Sequence, residues 1–195
     1  MPRKSASLSE TPSQTAGPYV HIGLVPAQAG FEIFETNFSN SIPGEGPRIR
    51  IAGRVLDGVG APITDVLVES WQADAQGRFD TPGFRGWARA ASDFATGEWV
   101  IETVRPGAAT EPGGAVLAPQ IGLWLVARGI NIGLSTRMYF PEETAANAAD
   151  PVLSRVPPHR RETLLAKKQA EAGDVQGYRF DIVVQGAGET VFFDA

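Results

Sequence analysis

Arg48 to Phe79, RIRIAGRVLDGVGAPITDVLVESWQADAQGRF, is the stretch that decides the fold. Between Arg48 and Leu56 the side chains of Ile49, Ile51 and Val55 share one face, and those of Arg48, Arg50 and Arg54 the other. That two-residue period is the pattern of a half-buried strand. Asp57-Gly58 then supplies a turn able to accept positive φ. Val66 to Ala73 reads as the next strand, followed by a loop to Gly77.

Outward from this pair the same grammar continues. The chain holds 22 glycines and 15 prolines, and they fall between short apolar runs, so many turns join many strands. Glu98 to Val104 follows Thr96-Gly97, and Ile121 to Ala127 is the most apolar run. Ser135 to Phe140 and Tyr178 to Gln185 complete the main set, with Thr190 to Phe193 as a last edge. The expected class is all-β, a two-layer β-sandwich of about seven to eight strands. Between Pro141 and Gly173, alanines, Leu164, Leu165 and Pro158 ahead of Arg160-Arg161-Glu162 predict a short helical excursion. Residues 1–40 are polar and turn-rich, too stiff in proline around Thr11 to Tyr19 for a linker and too polar for a core. They are expected to form an extended N-terminal arm that packs on a partner chain, leaving 41–195 as the sandwich of what is a single domain overall.

Composition removes several classes of function. A chain of 195 residues suits one hydrophobic core. With 43% apolar and 20% charged residues and no long charge-free apolar run, a membrane-spanning helix is not expected. The opening MPRKSASLSE has basic residues without an apolar segment behind them, which points to the cytoplasm rather than export. Without cysteine there is no disulfide, thiolate nucleophile or thiolate metal site. A net charge of −5 and the lack of a basic run argue against nucleic acid as partner.

The usual catalytic patterns are missing too. The two histidines, His21 and His159, lie far apart, and neither has a second histidine at strand or helix spacing, so both read as surface residues. No nucleophile elbow surrounds Ser70, Ser92 or Ser135, and Pro112-Gly113-Gly114 reads as a plain turn rather than a phosphate loop.

A more specific signal lies in Ile51-Ala52-Gly53-Arg54-Val55, Leu67-Val68-Glu69-Ser70-Trp71-Gln72-Ala73-Asp74 and Gly77-Arg78-Phe79, which together resemble the signature of the intradiol ring-cleavage dioxygenases. The likeness extends through TPSQTAGPYVHIG at residues 11–23, Gly97-Glu98-Trp99, Ala127 to Ile132 and the ending GAGETVFFD, effectively the whole chain. Members of that family open catechols with ferric iron held by two tyrosines and two histidines, hard and borderline donors suited to that oxidation state. The positions that would carry them here read otherwise. Gln120 and Gly122 stand for the histidine pair, Pro106 to Ala109 holds no tyrosine, and Asp80 to Ala88 offers Phe84 and Trp87.

The resemblance therefore implies a subunit with no catalytic or metal-binding residue of its own. Its Fe(III) would be held by a beta chain of the same fold in a higher alpha-beta oligomer acting on a small aromatic substrate. It further implies three substrate-binding residues. Arg128, at the end of the apolar strand, would reach a shared pocket and oppose the charge of a carboxylated catechol. Gly17 and Pro18 would line that pocket with backbone and ring. Glu69, Trp71 and Gln72 are expected to serve the core and a buried hydrogen-bond network. The rival readings are a stand-alone β-sandwich recognition module, and a self-sufficient enzyme drawing ligands from Tyr19, His21 and Tyr139.

Overall fold

The computed structural model describes residues 14–17, 19, 23–27, 30–32, 39–79 and 81–194. Eleven strands follow one another as β1 (Arg48–Leu56), β2 (Leu67–Trp71), β3 (Trp87–Ala91), β4 (Glu98–Val104), β5 (Ala109–Thr110), β6 (Val116–Leu117), β7 (Gln120–Val126), β8 (Leu134–Tyr139), β9 (Lys167–Ala172), β10 (Val175–Arg179) and β11 (Ile182–Val183). Eight of them have five residues or more, within the expected seven to eight, although β3 and β9 are not among the runs predicted as strands. Helix α1 (Thr144–Ala149) and two 3-10 segments, Leu153–Arg155 and Pro158–Leu164, lie between β8 and β9. No helix among the described residues is long and apolar enough to cross a membrane.

Two sheets carry the fold. In the first, β1 lies between antiparallel β4 and the parallel strands β10 and β11, with β9 outside β10; in the second the order is β3-β2-β7-β8. Ile49, Ile51 and Val55 point inward from β1, and Val68, Ile121, Leu123 and Leu125 meet them from the other sheet around the fully buried Trp99. Burying each large side chain of this layer contributes about 1.5–3 kcal/mol.

Two glycines of the opening stretch have defined tasks. A Cβ on Gly53 would stand 1.9 Å from the Phe180 carbonyl oxygen and 2.7 Å from the Trp99 ring, so only glycine lets β1 lie this close to its neighbours. In the turn after β1, Asp57 accepts hydrogen bonds from the Val59 and Ala61 amides, and Gly60, at φ +83°, takes the left-handed position expected at Gly58.

Four elements differ from expectation: the run Tyr178 to Gln185 is not one strand, since its start ends β10 and Ile182–Val183 forms the separate β11. The helical excursion ends at Leu164, and Lys167–Ala172 is a strand, β9, instead of part of it. β3 occupies a stretch where the sequence predicts no strand, and Thr190 to Phe193 forms no strand, its ladder contact being the isolated bridge from Phe193 to Ser135.

Candidate functional site

Arg128 is placed by register. β2 and β7 run antiparallel with Leu67 opposite Val126, so the same ladder carried outward sets Asp65 opposite Arg128 just beyond the strand ends. The Arg128 Nε donates to the Asp65 carboxylate. Asp65 is 8% exposed, whereas the Arg128 side chain is 60% exposed, giving a charged group rooted in the fold and open at its tip.

The arm meets this corner. The Thr15 hydroxyl donates to the Ala127 carbonyl at 3.3 Å and accepts from the Gly129 amide at 2.7 Å, bracketing Arg128 from both sides. Gly17 follows in exposed backbone with open space around it, and Pro18 lies outside the described residues. The structure thus brings Thr15 of the arm to the backbone on either side of Arg128, with no contact shown for Gly17. A second anchor comes from Arg89, whose guanidinium pairs with Glu69 and donates to the Leu24 carbonyl at 2.8 Å.

The two positions matched to the histidine ligands lie on the outer face of the second sheet. Along β7, Ile121, Leu123 and Leu125 are buried, so Gln120, Gly122 and Trp124 face outward. Gly122 and Trp124 join Trp71, Trp87, Arg137 and Phe193 in a groove of about 320 Å³. The two matched positions do not suit ferric iron: Gln120, which does not line this groove, offers only an amide oxygen, buried without a hydrogen-bond partner, and Gly122 offers no side chain. Phe84 packs against the core and Trp87 begins β3, neither with an oxygen donor. Among the described residues no three His, Cys, Asp or Glu side chains converge.

The tyrosines do not replace the missing donors. Burial, and then the neighbouring Asp150 charge, push the Tyr139 phenol above its ordinary pKa, and its hydroxyl donates to Asp150 at 3.2 Å. Burial together with the hydrogen bond to Glu142 likewise raises Tyr178. Both hydroxyls are already engaged by carboxylates, Tyr139 by Asp150 and Tyr178 by Glu142. Tyr19 is exposed, and His21 lies outside the described residues.

Of the signature residues, Gln72 behaves as expected. It is buried, donates to the Ala73 and Val104 carbonyls and accepts from the Thr103 hydroxyl at 2.9 Å. Trp71 does not serve the core; it is 45% exposed and stacks on Phe79, centroids 6.1 Å apart. Asp65 and the bracketing role of Thr15 escape motif reading. The only sequence signal for Asp65 is its symmetric offset from the two strands that pair.

Comparison with known proteins bears on the family and the fold. A family model described as "Dioxygenase" matches residues 29–186. The chain belongs to the intradiol ring-cleavage dioxygenase family. Within that class it is similar to the protocatechuate 3,4-dioxygenase alpha chain of Pseudomonas putida, with 48% identity covering 96% of this chain and 97% of that one. It is also 35% identical to the protocatechuate 3,4-dioxygenase beta chain of Burkholderia cepacia, across 74% of this chain and 67% of the relative. Among solved structures, the dioxygenase domain of a dioxygenase and carbohydrate-binding fusion from Streptomyces sp. SirexAA-E aligns with a TM-score of 0.56 at 26% identity, covering 92% of this chain and all of the other. A stand-alone recognition module is not favoured by this set of relatives.

Proposed function

We propose that the chain is the alpha subunit of a protocatechuate 3,4-dioxygenase. With its beta chain it cleaves protocatechuate (3,4-dihydroxybenzoate) with O2 to 3-carboxy-cis,cis-muconate, and the Fe(III) of the complex is held by the beta chain. The observation that carries this reading is the corner where the arm and Arg128 meet, an open guanidinium fastened beside backbone, in a chain whose own ligand positions are Gln120 and Gly122.

In this assembly residues 1–40 pack on the beta chain and 41–195 form the sandwich. Gly17 and Pro18 line the shared pocket with main chain and ring, leaving room for an aromatic acid. Arg128 meets the substrate carboxylate. Such a charge-assisted contact contributes about 1.5–3 kcal/mol, or about tenfold and more in binding. The two chains build a higher alpha-beta oligomer in the cytoplasm, each pair burying at least about 2,000 Å².

The test uses the co-expressed alpha-beta complex. Arg128→Ala should lower kcat/KM for protocatechuate by at least about tenfold while sparing catechol, which has no carboxylate. Equal loss on both substrates would make Arg128 a structural residue and remove it from the pocket.

A further inference from the structure

Arg128 has five N–H donors, and the structure uses one of its nitrogens. Only Nε bonds to Asp65, and no other hydrogen bond of the guanidinium is made among the described residues. The Nη1 and Nη2 edge, the fork that matches a carboxylate, is left open on a side chain that is mostly exposed.

The acid that grips Nε is itself fixed. Asp65 precedes the fully buried Val66, whose amide donates to the Ser92 hydroxyl at 3.0 Å and whose carbonyl accepts the Ser92 amide at 2.9 Å. On the other side Arg128 follows the fully buried Ala127, whose carbonyl accepts the Ile130 amide at 3.2 Å. Both roots are buried and hydrogen-bonded, and the ladder register sets them opposite each other.

We propose that Asp65 is a positioning residue for Arg128: it holds Nε and so aims the free Nη fork at the carboxylate of an aromatic acid substrate. The proposal rests on the reading of Arg128 as the group that meets that carboxylate. Physically, the rotamer freedom that an unheld arginine loses on binding is already lost before substrate arrives. The aim of the fork is then set by the β2–β7 ladder instead of by the ligand.

The experiment is steady-state kinetics on the assembled alpha-beta complex with protocatechuate and with catechol. Asp65→Asn should raise KM for protocatechuate about three- to tenfold with kcat changed less than about twofold, and should leave KM for catechol within about twofold. Placed on Arg128→Ala, Asp65→Asn should add nothing further, because the residue acts only through the arginine. Asp65→Glu, which keeps the charge, should recover part of the loss. An unchanged or lowered KM for protocatechuate in Asp65→Asn, alongside a selective loss in Arg128→Ala, overturns the proposal and leaves the reading of Arg128 standing. Equal loss on both substrates in Arg128→Ala defeats that reading instead. Should Asp65→Asn not assemble, Asp65→Ser gives the same readout; failure of both to assemble makes Asp65 a folding residue and also overturns the proposal.

Discussion

Asp74 shows what the shared signature does at the level of single residues. Its Oδ1 accepts the amides of Gln76 and Arg78, each at 2.9 Å, and its Oδ2 accepts the Arg78 Nε and the Thr81 hydroxyl, each at 3.0 Å. Burial alone would raise this carboxyl, but the hydrogen bonds, led by those from Arg78, outweigh it and hold the pKa below the ordinary 3.8. Because the folded-state value is the lower one, the stabilisation is fully present above the unfolded value and is lost as pH falls through the folded value. Urea midpoints measured against pH should therefore show a steeper acid decline in the wild type than in Asp74→Asn, with the variant less stable at neutral pH. Parallel acid limbs would mean that the carboxylate contributes nothing. The conserved-looking run is thus turn chemistry. Gln72 is legible as a buried polar residue, and Trp71 is misread because Val68 and Ser70 already take the inward positions of β2, which sends residue 71 outward. Arg128 is singled out in the sequence by the resemblance and by its place at the end of the most apolar run. Asp65 is not, since it belongs to no motif and acquires its partner only through the pairing of β2 with β7.

Among elements, legibility follows the burial pattern. β1 and β4 match their expected bounds: Ile49, Ile51 and Val55 alternate with arginines along β1, and β4 is an apolar-rich run that opens just after Thr96-Gly97. β9, Lys-Lys-Gln-Ala-Glu-Ala, is exposed at all six positions, so it carries no alternation and its composition is that of a helix. β3 hides for a related reason: Trp-Ala-Arg-Ala-Ala buries only small alanines, which leave a faint signal. β9 pairs only with β10 and contributes no residue to either core cluster. Little apolar burial opposes its local opening. Hydrogen exchange of the isolated chain should show β9 amides exchanging at least about tenfold faster than those of central β1. Equal protection would place β9 within the globally unfolding unit.

At the scale of the whole molecule, the chain keeps the two-sheet scaffold of its family while Gln120 and Gly122, the positions the resemblance assigns to the histidine pair, present an amide and no side chain on the outer face. Purified without a beta chain it should be colourless, should contain far less than one iron per chain, and should not open protocatechuate. Metal analysis and a visible spectrum check this, and stoichiometric tightly held iron would overturn the division of labour proposed above. The parallel pairing of β1 with β10 and β11 has a kinetic side as well. A nascent chain that has already made β1 and β4 must wait for nearly the entire remaining polypeptide before the other flank of β1 can be covered. Such long-range closure is slow, and the interval exposes an apolar strand edge to other chains. Translation pauses or premature stops after β8 should accordingly yield insoluble product rather than a smaller soluble sandwich.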